Sequence, residues 1–298
     1  MKEIIPQKKK ISVKLFLLRT FLILLSASLI WLWWSNVSIK NTSYTVTSDK
    51  MPKDFEGFCI VQVSDLHNEE KGTDNKGILD LVKKQNPDII AITGELLDDE
   101  EIENCITFLE GAVKIAPCYY VTGNHEGYAS AEVYRELEKV MTDLGVEVLH
   151  NRSVVIEKDG QKICIGGVDD PNYAFKVGQS NGEALPEIDA LFTEEGAYNV
   201  LLSHRPDFFE VYASSKADIV FCGHAHGGQV ILPFVGGLYA PGQGILPKYE
   251  KGVFEKNSTV MIVSTGAGNG TVVPRVNNRP EIVTVSIFPA AHSVRVLH

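Results

Sequence analysis

Five short stretches carry residues able to grip a metal ion. They are Val63-Ser64-Asp65-Leu66-His67, Ile92-Thr93-Gly94-Glu95, Val121-Thr122-Gly123-Asn124-His125-Glu126, Leu202-Ser203-His204-Arg205-Pro206, and Phe221-Cys222-Gly223-His224-Ala225-His226-Gly227-Gly228. Five of the eight histidines fall within them. The donors are imidazole nitrogens and carboxylate or amide oxygens, with no thiolate. That set suits Mn, Fe, Zn or Co rather than a Cys-built structural zinc. In Asp65-x-His67 and His224-x-His226, residues two apart on an extended chain point the same way. Each pair can serve one ion or two neighbouring ions. Asp65, His67, Glu95, Asn124, His204, His224 and His226 are too many donors for one ion with an open position, and they fit two ions sharing a carboxylate. Two ions about 3.5–4 Å apart acidify a bridging water and clamp a phosphoryl group during in-line attack. Taken singly, Asp65-x-His67 is common by chance and a lone His204 reads as a satisfied polar residue. The five together, each closing a strand, point to metal.

Those stretches need rigid elements behind them. Each follows an apolar run, and in open α/β sheets ligands bind past the carboxyl ends of strands. Strands are expected at Phe58–Ser64, Ile89–Thr93, Cys118–Thr122, Val154–Glu157, Ile163–Val168, Asn199–Ser203, Ile219–Cys222, Gly228–Ile231, Thr259–Ser264 and Glu281–Ile287. Helices are expected at Asn75–Gln85, Glu101–Lys114, Ala131–Leu144, Glu187–Glu194 and Phe208–Ser214. Ile89-Ile90-Ala91-Ile92 is apolar throughout, as suits a strand covered on both faces. Asp159-Gly160 and Gly236-Gly237 signal hairpins. Gly94, Gly123 and Gly223 precede donors, where a side chain would obstruct a tight turn or close backbone approach.

The N-terminus is of another kind. Leu15 to Trp34 is a 20-residue apolar run with one charge, Arg19. A helix of that length spans roughly 30 Å of hydrocarbon. Lys8, Lys9, Lys10 and Lys14 precede it and Trp31, Trp33 and Trp34 close it, so 1–14 reads as a cytoplasmic basic segment and 15–34 as a retained anchor. A cleaved signal at Ser26-Ala27-Ser28 is the rival reading. Residues 35–50 read as a polar spacer ending in an edge strand near Tyr44–Thr47, and 51–298 as the globular domain. Residues 41–298 carry 21 basic and 37 acidic residues, a formal charge of −16, which repels nucleic acid. Cys59, Cys105, Cys118, Cys164 and Cys222 form no CxxC pair and read as buried free thiols.

The ordered set D-x-H, G-[D]-x-x-D, G-N-H-[D/E], H and G-H-x-H resembles the calcineurin-like metallophosphoesterases over about residues 44–290. Ser203-His204-Arg205-Pro206-Asp207, Tyr239-Ala240-Pro241-Gly242 and Asn278-Arg279-Pro280-Glu281 are similar to the membrane-tethered or exported bacterial branch. The resemblance implies an α/β fold: a four-layer α/β/β/α sandwich of two mixed β-sheets flanked by helices, after one N-terminal transmembrane helix. It implies one ion held by Asp65, His67 and His226, a second by Asn124, His204 and His224, and a bridge by Glu95. It also implies that His125 contacts the phosphoryl oxygen or protonates the leaving group, with Glu126 orienting its ring. Glu95 stands where the family has Asp. The reading is a phosphoesterase at the extracytoplasmic membrane face, acting by a dimetal-bound hydroxide on a phosphomonoester, phosphodiester or pyrophosphate of a small molecule or lipid. The alternatives are a UDP-2,3-diacylglucosamine-type lipid pyrophosphate hydrolase and a metal-binding surface protein impaired by Glu95.

Four further features carry expectations. The acid run Asp98, Asp99, Glu100 and Glu101 reads as a solvated loop. Gly266-Ala267-Gly268-Asn269-Gly270 reads as a tight turn near the cleft. Arg275 and Arg279 read either as contacts to an anionic substrate or as partners of surface acids. His150, His292, His298 and Ser203 read as structural or terminal.

Overall fold

The structure, a computed structural model, describes residues 13–98, 100–180, 182, 184–290 and 295–297. Lys8, Lys9, Lys10, Asp99, His292 and His298 lie outside the described residues.

Strands β1 (Lys40–Ser48), β2 (Phe58–Val63), β3 (Ile89–Thr93), β4 (Cys118–Val121) and β5 (Glu147–Val148) begin a first sheet. β6 (Arg152–Lys158), β7 (Gln161–Gly167), β8 (Tyr198–Leu202) and β9 (Ile219–Cys222) begin a second. Two short ribbons follow, β10 (Ile231–Leu232) with β11 (Gly236–Gly237) and β12 (Tyr239–Ala240) with β13 (Gly244–Ile245). β14 (Gly252–Lys256) and β15 (Thr259–Val263) complete the second sheet, and β16 (Glu281–Pro289) and β17 (Arg295–Leu297) complete the first. Both sheets are mixed, in the orders β17-β1-β16-β2-β3-β4-β5 and β14-β15-β9-β8-β7-β6.

Alternation along the strands builds the layers. Ile60 of β2 and Ile219 and Phe221 of β9 meet between the sheets. Val61 and Val63 turn to the other side, against Ile78, Val82, Phe108, Leu109 and Leu137 of helices α2 (Lys76–Lys84), α3 (Glu103–Ala112) and α5 (Ala131–Asp143). Val220 and Cys222 turn outward against Leu191, Phe209 and Tyr212. Side chains of successive strand residues face opposite ways, so a strand buried on both faces needs an apolar residue at every position. This gives the expected four layers.

The other helices are α1 (Val13–Val37), α4 (Asn124–Tyr128), α6 (Pro171–Lys176) and α7 (Phe209–Tyr212). α1 is long and apolar enough to cross a membrane, and its large apolar side chains from Val13 to Trp34 are exposed except for the partly covered Leu32. It extends beyond the expected Trp34 to Val37, and β1 starts three residues later. The stretch expected to be a spacer with an edge strand is therefore mostly a nine-residue strand, and β1 lies inside the sheet between β16 and β17. Its Thr, Tyr and Val content favours pairing once β16 is alongside. Gly236-Gly237 lies within a strand and not at a hairpin turn, whereas Asp159-Gly160 does turn β6 into β7 with positive φ at both residues.

Candidate metal centre

Parallel pairing sets the carboxyl ends of β2, β3 and β4 side by side, and of β8 and β9 in the facing sheet. All five donor stretches leave the sheets at that one edge. Gly94 and Gly123 let the loops close in: a Cβ on Gly94 would lie 2.7 Å from the Gly123 backbone and from His204 Nδ1. Gly94 also holds φ +86°, a left-handed conformation open to glycine.

The donors converge on the Glu95 carboxylate. Its Oε2 lies 3.0 Å from His67 Nε2 and 3.4 Å from His226 Nε2, which is in turn 3.4 Å from Asp65 Oδ1. Its Oε1 lies 3.3 Å from His204 Nε2 and 3.9 Å from His224 Nδ1. Asn124 Oδ1 is 3.1 Å from the same His204 nitrogen. Three groups thus bring ligand-type atoms within 4.8 Å of one another among the described residues, Asp65-His67-Glu95-His226, Glu95-His204-His224 and His67-Asp98-His125, and Glu95 belongs to the first two. His204 Nδ1 donates to the Thr93 carbonyl at 2.8 Å, which turns Nε2 toward the cluster.

Three features fit this arrangement to cations. Imidazole nitrogens face each other at 3.3 Å (His67 with His226) and 3.2 Å (His204 with His224), spacings at which a cation can take the place of the proton between them. Asp65 Oδ2 and His224 Nε2 are buried without a hydrogen-bond partner. Asp65, His67, Glu95, His224 and His226 all hold φ between 45° and 64°, a region uncommon for non-glycine residues. Strain of that kind costs of order 1–3 kcal/mol per residue and concentrates at functional sites. It also revises the local picture: the Asp65-His67 and His224-His226 segments are left-handed bends and not extended strand. The second pair divides between the groups, His224 to one and His226 to the other.

Charge follows from burial and neighbours. Burial alone would lower the His67 and His204 pKa values, but the Glu95 carboxylate outweighs it and carries them up to about 10 and about 9. Burial would raise Glu95, but His204 and His67 hold it well below the usual carboxylate range. For His226 burial wins and the pKa is lowered.

His125 reaches the site with Nε2 3.7 Å from Glu95 Oε1. Glu126 does not orient its ring. Neighbouring residues on a helix diverge, and the buried Glu126 carboxylate turns inward instead. It accepts from the backbone N–H of Gly123 at 2.7 Å, Glu95 at 3.1 Å and Leu96 at 3.0 Å. The residue beside the His125 ring is Asp98, whose Oδ1 lies 2.9 Å from His125 Nδ1 and 3.1 Å from His67 Nδ1. Asp98 was expected in a solvated loop, yet the spacing Gly94-Glu95-x-x-Asp98 repeats the G-[D]-x-x-D pattern and was the available signal. Its pKa is lowered, first by the hydrogen bond to His67.

Neither arginine meets its expectation. Arg275 is fully buried and donates to the Gly268 carbonyl at 2.6 Å and to His226 Nδ1 at 3.2 Å. Arg279 donates to Ser38 and lies over the Trp34 ring, 4.6 Å from its centroid. Ser203 and His150 are structural, bonded to Tyr212 and Asp169. All five cysteines are free and buried. A cleft of about 480 Å³ opens over the cluster, with Glu95, Asn124, His125, His224 and His226 at its base and Val230, Leu238, Tyr239, Pro241 and Val273 on its walls.

Residues 59–228 match the calcineurin-like phosphoesterase family. YkuE, an uncharacterized metallophosphoesterase of Bacillus subtilis, is 30% identical over 263 residues, covering 84% of this chain and 85% of that one. Phosphodiesterase YaeI of Escherichia coli is 26% identical over 207 residues, covering 68% and 72%. A transmembrane protein with metallophosphoesterase domain from Danio rerio is 27% identical over 262 residues, covering 81% of this chain and 56% of that one.

Proposed function

This chain belongs to the calcineurin-like phosphoesterase family, and on that premise we propose that it hydrolyses a phosphoester or pyrophosphate at the outer face of a membrane, with two divalent ions bound. Asp65, His67 and His226 would hold one ion, Asn124, His204 and His224 the other, with Glu95 between them. Such ions supply neutralisation of phosphoryl charge and a water acidic enough to attack at neutral pH.

The chain's own residues set the rest. Glu95, ionised among imidazoles, presents one oxygen to each group. The Glu126 carboxylate fixes the backbone on which Glu95 and Asn124 sit. His125 stands at the cleft side of Glu95 with Nε2 directed inward, placed to donate to a phosphoryl oxygen or a departing alkoxide, while Asp98 lies against its other nitrogen.

The shared position of Glu95 carries this reading. It also favours an active centre over an impaired metal binder, because the longer side chain reaches both groups. Lys14 and Arg19 at the start of α1 and the tryptophans at its end support a cytoplasmic N-terminus and an outer catalytic domain. Elemental analysis of the full-length protein in detergent, with turnover of bis(p-nitrophenyl) phosphate, tests the proposal. About two ions per chain and metal-dependent turnover are expected, with both reduced in His204→Ala. One ion or none, and no turnover with Mn, Fe, Zn or Co, refutes it. Protease added to intact cells should digest the catalytic domain; full protection would reverse the orientation.

A further inference from the structure

The cleft has an apolar rim that nothing among the described residues covers. Phe234 sits at the tip between β10 and β11 with its ring fully in solvent, and Val235 beside it is 57% exposed. On the next ribbon Ile245 is 77% and Leu246 54% exposed. Across the cleft Val272 is fully exposed and Val273 is half exposed. A soluble surface rarely gathers so many large apolar side chains in one place, and such patches mark interaction or membrane surfaces.

The rim is continuous with α1. Asn36, in the last turn of the helix, donates to the Arg275 carbonyl at 2.9 Å and accepts from the Arg275 N–H at 2.8 Å. Arg275 lies three residues from Val272. Its neighbour Val276 pairs with Val230, and Ile231 N–H donates to the Val276 carbonyl at 2.9 Å, which ties this segment to the ribbon carrying Phe234. Gln229 bonds Asn269 and Val273 across the same gap. Arg279 clasps Ser38 and covers Trp34. The end of the anchor, the two walls of the cleft and the apolar tips are therefore one bonded unit, and only Ser38 and Ile39 separate α1 from β1.

We infer that this rim enters the outer leaflet beside α1 and that the site takes the phosphoester of a membrane amphiphile, its headgroup on the metal-ligating residues and its chain between Leu238, Tyr239 and Val273. The inference rests on the phosphoesterase reading and on α1 spanning the bilayer. A freely swinging domain would have no reason to keep apolar tips beside its anchor. Here the clasp ties the tryptophan end of α1, the part suited to the headgroup level, to the segment that carries Val272 and Val273, and the cleft over the donors is walled by Val230, Leu238, Tyr239, Pro241 and Val273.

The experiment uses the full chain in vesicles of phosphatidylethanolamine and phosphatidylglycerol. A polarity-sensitive fluorophore on Phe234→Cys should shift to the blue and be quenched by brominated acyl chains. The same fluorophore on Val155→Cys, exposed on the outer strand β6, should report water; the native thiols are all buried. In parallel, Phe234→Asp with Val272→Asp should leave turnover of soluble bis(p-nitrophenyl) phosphate within about twofold and lower kcat/KM for a vesicle-borne long-chain alkyl p-nitrophenyl phosphate at least about tenfold, the equivalent of about 1.4 kcal/mol. A water-like signal at position 234, or equal effects on the two esters, overturns the inference. Failure of the unsubstituted protein to hydrolyse the soluble ester would instead sink the phosphoesterase reading, and the fluorophore result stands apart from it.

Discussion

At Glu95 the two carboxylate oxygens face different neighbours. The backbone of this residue is held by Glu126 and the His67 N–H, and its charge is matched by His67 and His204. Glu95→Gln keeps the shape and removes the charge. Bound metal should fall to one ion or fewer, and turnover should drop about a hundredfold, in the upper part of the range seen when metal-site partners are lost. Glu95→Asp keeps the charge but withdraws it from both groups. About a tenfold loss is expected, and unchanged turnover would show that the extra methylene is idle. Protonation gives a second check on the chelated protein. His67 and His204 have folded pKa values raised from 6.5 to about 10 and about 9, so their contribution to stability is full below about pH 6.5 and is lost as pH rises through 9 to 10. Glu95 is lowered below 4.5, so its contribution is present above that value and is lost as pH falls. Thermal melts of the chelated protein should therefore be highest between about pH 4.5 and 6.5 and decline toward pH 10. Divalent ions, which compete with protons for the same nitrogens, should bind more tightly as pH rises.

Among the elements, α4 is short, and its value lies in one inward side chain. Three backbone N–H groups from the loops after β3 and β4 end on Glu126. Glu126→Ala would leave those buried donors without acceptors, at a cost of about 3 kcal/mol or more. For a domain of this size that is roughly 6–12 °C in Tm, measured by calorimetry in detergent, and bound metal should fall with it because Glu95 loses its support. A variant that melts normally would remove Glu126 from this role. The central strands β2, β3, β4, β8, β9 and β15 are described well by their apolar runs because both faces are buried, whereas the expected strand Gly228–Ile231 keeps only Ile231 in β10 and starts in a single tight turn at His226–Gly228. α4 and α6 left no such trace: each is a single turn or little more, too short for a periodic pattern.

For the whole molecule, the sandwich puts an apolar layer between its sheets and another on each outer side, and it closes all five thiols inside those layers. Burial pushes the Cys118 thiol up to about 12 and raises that of Cys222 well above the usual thiol range. A thiol reagent should label none of the five rapidly in the native protein and all five in denaturant, and rapid native labelling would contradict the packing. The clasp between α1 and the cleft is the other property of the whole. It rests on residues some 240 positions apart, Asn36 with Arg275 and Ser38 with Arg279.

Sequence alone made the candidate donors legible, because metal ligands of the nitrogen and oxygen kind must be histidine, carboxylate or amide and their order along the chain is directly visible. It also showed the strands buried on both faces, β2, β3, β4, β8, β9 and β15, and the apolar N-terminal helix, since such burial writes itself as a largely apolar run, whereas β5, β14, β17 and the two short ribbons, partly exposed or only two or three residues long, left no such run. What it did not carry is proximity. That Glu95 touches both donor groups, that Asp98 and not Glu126 lies against His125, and that Arg275 is buried under His226 were decided by how the two sheets stack and how the loops bend through left-handed conformations. A side chain's type is a local property of the chain, whereas its partner is a property of the packing, which brings together residues that sequence spacing keeps far apart.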